Sequence, residues 1–176
     1  GMRKYFCTNG MRLEQFTPAL FEYHTDIFAV SLDGAEEKTN QSIRRGSDFH
    51  KILKALEQIN RKKAQEHLEY PYNNFVFTAM KQNIRELPAL VRLAGDIGVN
   101  EVKAVFLTAF DEWSREQTLF YDMELVREVF AQAAEEGERL GVALKLPHLC
   151  GEDPAGDLPH KTCYVGWRDF FLGSDG

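Results

Sequence analysis

Apolar, β-favouring residues gather in five short runs, at 4–7, 26–32, 74–80, 101–109 and 142–146. Most lack strict alternation, the pattern of strands covered on both faces. Between these runs, apolar positions recur at helical spacing. The clearest such stretch covers 48–67, where Phe49, Ile52, Leu53, Leu56 and Ile59 make one stripe and Ser47 is placed to cap the start. A second covers 84–97, turns Leu87, Leu90, Val91 and Ala94 inward, accepts Pro88 in its first turn and stops at Gly98. A third covers 122–140 with Gly141 as its stop, and a weaker helix fills 14–23. Strand and helix in alternation, with short joints, predict parallel βα units linked by right-handed crossovers. The expected fold is α/β: a partial (βα) barrel of the TIM type, with four to five parallel strands flanked by helices.

In such folds the chemistry collects where strands end and loops begin. Thr8-Asn9-Gly10, Ser31-Leu32-Asp33-Gly34, Thr78 through Asn83, and Thr108-Ala109-Phe110-Asp111 would all open onto one mouth. Asn9-Gly10 and Asp33-Gly34 are also ordinary turn formers, since Asn and Gly tolerate positive φ and Asp bonds its own backbone. Ser31 and Asp33, both near one strand end, offer a hydroxyl and a carboxylate suited to a ribose diol. Arg44 and Arg45 precede the long helix, where a guanidinium can pair bidentately with a carboxylate, or simply join a surface ion pair.

Composition narrows the classes. A chain of 176 residues with ordinary apolar content buries one core and has no room for a second full domain. A net charge of −6 argues against nucleic-acid binding, which needs a basic face, and the basic cluster at Arg61–Lys63 reads as the solvated side of a helix. No run is apolar and long enough to cross a bilayer, and the start of the chain lacks the apolar core of a secretory signal. The expected location is the cytoplasm. Cys7, Cys150 and Cys163 are too few and too scattered for a disulfide framework, which suits a reducing compartment.

The string Ser31-Leu32-Asp33-Gly34-Ala35, followed by Ile43-Arg44-Arg45-Gly46-Ser47 and an amphipathic helix, resembles the middle of radical S-adenosylmethionine (SAM) enzymes, particularly those with a cysteine-rich SPASM extension. Thr8-Asn9-Gly10 is similar to the turn after that family's third strand. Met80 through Pro88, with Asn83-Ile84 and Leu87-Pro88, is similar to the stretch after its fifth. Cys163, Trp167 and Ser174-Asp175-Gly176 resemble the opening of the SPASM extension. The resemblance implies that 1–147 are later βα units of a radical SAM barrel, and 148–176 a connector and the start of the extension. It also implies that Ser31 and Asp33 hold the SAM ribose, that Arg44 holds the carboxylate of its methionine part, and that Thr78, Met80 and Leu107 help line the adenine pocket. Cys163 would be one metal ligand of an auxiliary iron–sulfur cluster.

Members of that family cleave SAM reductively at a four-iron, four-sulfur cluster to start radical chemistry, and many SPASM members modify peptides or proteins. The implied cofactors are therefore SAM and that cluster, and the implied partner is a peptide or protein. The family binds its cluster through a Cys-x3-Cys-x2-Cys loop, which nothing in this sequence matches. The expectation is a fragment of a larger parent enzyme, catalytically silent by itself and with no cofactor bound.

Three rival readings compete with this one. His148, Cys150, His160 and Cys163 have the residue types of a tetrahedral zinc site, without a standard spacing. Lys145, late in the fifth run, could form a Schiff base in an aldolase-like barrel enzyme, or be a solvated strand-end residue. A non-enzymatic α/β module would self-associate through its exposed sheet edges. Phe110 and Trp113 follow a strand end, where they either line a substrate mouth or pack as a small cluster beneath the loop.

Overall fold

The computed structural model describes residues 3–149. Five strands, β1 (Tyr5–Thr8), β2 (Ile27–Ser31), β3 (Tyr72–Ala79), β4 (Glu101–Phe106) and β5 (Ala143–Lys145), form one sheet in the order β1-β2-β3-β4-β5. Every neighbouring pair is parallel. This spatial order never reverses, so right-handed crossovers place every connecting helix on the same face. That is a barrel in part, where a doubly wound sheet would switch direction and carry helices on both faces. The helix layer agrees. The helices α1 (Leu13–Glu22), α3 (Phe49–Gln65), α4 (Leu87–Ile97) and α6 (Met123–Leu140) pack side by side in chain order.

The core lies between that layer and the sheet. Phe28 and Val30 of β2, Phe75 and Phe77 of β3, and Val102 and Ala104 of β4 alternate toward the helices, where they meet Ile52, Leu56, Leu90 and Val126. The intervening positions face the other side and are more polar: Ser31, Asn74, Thr78, Glu101, Lys103 and Lys145. Here Lys145 Nζ pairs with Glu101 Oε2 at 2.8 Å. Lys145 is exposed and ion-paired, which is not the desolvated amine that Schiff-base chemistry favours.

Helix ends follow local chemistry. Gly98 and Gly141 close α4 and α6 with left-handed φ of 74° and 68°. The cap of α3 is Asp48, whose carboxylate accepts the Lys51 amide at 2.9 Å, and not the adjacent Ser47. Ser47 is drawn off by Asn40, whose Nδ2 donates to its hydroxyl at 2.9 Å. Two short helices escape the hydrophobic pattern, α2 (Glu37–Ile43) and α5 (Glu112–Gln117). The fourth run ends as a strand at Phe106, and Asp111 then opens α5 through a reciprocal capping box with Ser114.

The basic cluster at 61–63 also needs correction. Lys63 is buried, because it continues the stripe of Ile52, Leu56 and Ile59 at helical spacing. Its ammonium donates to Asn100 Oδ1 at 3.0 Å, and burial pushes its pKa below the ordinary lysine value. No helix among the described residues is long and apolar enough to cross a membrane.

Candidate functional site

Strand ends β1 to β4 open together at one rim of the sheet, and one carboxylate ties that rim together. Asp33, two residues beyond β2, is 2% exposed. Its Oδ1 accepts the backbone N–H of Thr78, near the end of β3, at 2.7 Å. Its Oδ2 pairs with Arg44 Nε at 2.8 Å. Its own backbone N–H donates to Asn40 Oδ1 at 3.0 Å, and its carbonyl accepts Asn83 Nδ2 at 3.0 Å. Burial raises the Asp33 pKa, and the Thr78 amide and the Arg44 guanidinium lower it by less, so the net direction is upward.

Asn83 fastens the loop after β3. Its Nδ2 also donates to the Thr78 carbonyl at 2.9 Å, and its Oδ1 accepts the Met80 amide at 2.8 Å. Both N–H donors and the oxygen of the buried amide are thereby engaged. Glu86, just before α4, reaches back to the start of α2, where Oε2 accepts the Ala35 amide at 2.8 Å and the Glu36 amide at 3.3 Å. A carboxylate at that end also offsets the positive end of the helix. Gly34 is required by closeness: a Cβ there would lie 2.7 Å from the Asn40 backbone nitrogen.

The structure brings together three expected site residues directly, Asp33, Arg44 and Thr78. Arg44 is 29% exposed and lines a pocket of about 270 Å³ with Asn9, Met11, Arg45 and Ser47. Its Nε is committed to Asp33, so the pocket receives a guanidinium already fixed in place. Ser31 ends β2 with its hydroxyl 3.5 Å from the Cys7 sulfur. Met80 and Leu107 continue β3 and β4 side by side, the Leu107 amide donating to the Ala79 carbonyl at 3.3 Å. Met80 is buried and Leu107 half-buried. Asp33 is a different object from the open, ribose-facing carboxylate that the sequence suggests, since both oxygens are already engaged inside the protein.

Asn40, Glu86 and the Ser47 contact with Asn40 carry no signal in the sequence that marks them as part of this rim. Asn83 is marked there only as part of a resembling string. Among the described residues no group of three or more His, Cys, Asp and Glu could hold a metal ion. The auxiliary-cluster ligand Cys163, and Cys150 and His160 of the zinc alternative, lie outside the described residues.

No family model and no curated protein matches the sequence. The fold has solved counterparts. The chain superposes on Streptococcus suis SuiB bound to S-adenosylmethionine with a TM-score of 0.67 and 12% identity, covering 89% of this chain and 36% of that one. It superposes on SuiB bound to the precursor peptide SuiA with a TM-score of 0.60 and 11% identity, covering 84% and 32%. The chain thus spans about a third of SuiB's length, and the likeness is one of fold: parallel strands in a partial barrel with flanking helices.

Proposed function

We propose that this chain supplies later βα units of a radical SAM barrel and contributes one side of a SAM site at the rim described above. The observation that carries the reading is the Asp33–Arg44 pair, held against the amide of Thr78 beside a pocket open to Arg44. A fold counterpart crystallised with SAM, and the resemblance of the Ser31–Ala35 and Ile43–Ser47 strings to radical SAM enzymes, support it.

In this proposal Arg44 pairs with the ligand's methionine carboxylate, and Asp33 acts through Arg44 by fixing its guanidinium. Ser31 supplies a hydroxyl to the ribose, while Thr78, Met80 and Leu107 border the adenine. The iron–sulfur cluster is a different matter. Cys7 is the one cysteine among the described residues, so they do not fit the group, and no step is derived through it. Cluster chemistry, and any peptide or protein modification, belong in this reading to the parent enzyme.

Without a cluster to share the ligand, the chain should hold SAM weakly, in the millimolar range. Calorimetry with SAM tests this. Arg44→Ala should abolish measurable heat, and Arg44→Lys should retain only part of it because one point charge replaces a planar fork. Equal heats for wild type and Arg44→Ala would contradict the assignment.

A second reading, self-association through the sheet edges, is favoured by a different observation. Among the described residues β1 leaves one side unpaired, with Tyr5 exposed and Phe6 lining an apolar groove of about 530 Å³ together with Leu13, Phe16, Leu20 and Tyr23. Sedimentation that grows with concentration, and is reduced by Phe16→Glu, is the expected outcome. A monomer at every concentration would remove this reading.

A further inference from the structure

The segment after β4 carries four aromatic side chains that the core does not use. Phe110, Trp113, Phe120 and Tyr121 are 86%, 52%, 55% and 83% exposed. Phe110 and Trp113 are therefore not packed as a cluster beneath the loop. Four exposed aromatic side chains within 110–121, two of them in ring contact, make this segment a candidate interaction surface.

The segment is fixed, so the aromatics are presented and not merely left over. Ser114 and Leu119 are buried anchors, the Asp111 carboxylate accepts the Ser114 amide at 2.7 Å, and the Phe120 and Tyr121 rings meet edge to face at 5.1 Å. The Lys81 amide donates to the Gln117 carbonyl at 3.0 Å, and its ammonium pairs with Asp122 at 3.2 Å. Lys81 belongs to the loop after β3 that Asn83 fastens to Asp33, so the aromatic segment adjoins the same rim.

Charge selects the partner. Residues 107–124 contain five carboxylates, Asp111, Glu112, Glu116, Asp122 and Glu124, against one cation, Arg115, and although Lys81 offsets Asp122 the segment keeps an excess of negative charge. Glu112 and Glu116 are exposed, lie one turn apart on α5 and flank Trp113. Aromatic faces bordered by carboxylates attract ammonium and guanidinium groups by cation–π and Coulomb terms together.

We infer that this surface binds an extended peptide segment rich in lysine or arginine and guides it toward the rim. The inference deepens the peptide-partner part of the reading above and rests on it for the purpose of binding, though its test does not depend on SAM.

The test is fluorescence anisotropy of the full chain with a labelled peptide alternating lysine and glycine, against one alternating glutamate and glycine. The lysine peptide should bind, with affinity falling as salt rises, and the glutamate peptide should not. Trp113→Ala should weaken binding by roughly three- to tenfold. Glu112→Gln with Glu116→Gln should flatten the salt dependence, while the thermal melt of each variant stays that of the wild type. Equal binding of both peptides, binding of neither because a second copy covers the patch, or unchanged affinity in all variants would overturn the inference. A chain that binds the lysine peptide but not SAM would sink the SAM assignment and leave this surface standing.

Discussion

The carboxylate of Asp33 receives the backbone amide of Thr78 at 2.7 Å, although the two residues lie 45 positions apart. One side chain thereby joins the ends of β2 and β3 and, through its other oxygen, holds Arg44 at the rim. The contact is costly as well as organising, because a carboxylate 2% exposed has lost most of its water.

That cost has a measurable pH signature. The folded-state pKa of Asp33 is raised, with burial the largest cause, so between the unfolded and folded values the native chain binds the proton more tightly. Stability contributed at this position therefore falls as pH rises through that interval. Urea unfolding of wild type and Asp33→Asn, from acid to neutral pH, should show the wild type losing ground to the variant as pH rises. A wild type that gains instead would mean that the Arg44 pair outweighs desolvation.

Asn83 should be intolerant of change. Asn83→Ala strands the Met80 amide and removes the donor from the carbonyls of Asp33 and Thr78, a loss of about 2–4 kcal/mol in urea unfolding. Asn83→Asp should lose at least as much, because it turns an oxygen toward two carbonyl oxygens. A loss confined to Asn83→Asp would show that water replaces the amide.

His67 ends α3 in the left-handed region, with φ 52°, while the following Leu68 amide bonds back to the Lys63 carbonyl at 2.8 Å. His67→Gly should relieve that backbone and raise stability by about 1 kcal/mol, seen as a higher melting temperature. An unchanged or lower melting temperature would assign the imidazole a stabilising contact of its own.

Much of the fold was legible because its signals are local. Apolar runs marked the five strands, and Gly98, Gly141 and the stripe from Phe49 to Ile59 marked helix stops and faces. Lys63 shows the limit of reading charge ahead of period: its place on the stripe outweighed its ammonium. Helix α2 was hidden because its seven residues lack an apolar stripe and its start is satisfied by the distant Glu86. Helix α5 did carry a local signal, Asp111 three residues before Ser114.

The site was legible in part, for a similar reason. Ser31, Asp33 and Thr78 stand out as polar residues near strand ends, and Arg44 as a cation just before the long helix, which sequence can show. The partner of Asp33 is a backbone amide, and a backbone amide has no sequence signature. Asn83 and Glu86 likewise bond mainly to main-chain groups, and Asn40 bonds one amide and one hydroxyl, so their roles appear only once the chain is folded.

The central proposal is that the rim holding Asp33, Arg44 and Thr78 is a SAM site, and an amide NMR titration of the chain with SAM tests it most directly. The expected shifts concentrate at 31–34, 44–47 and 78–80. Shifts confined to the opposite end of the sheet, around Asn60, Asn73 and Asn100, or no shifts at millimolar SAM, would contradict it.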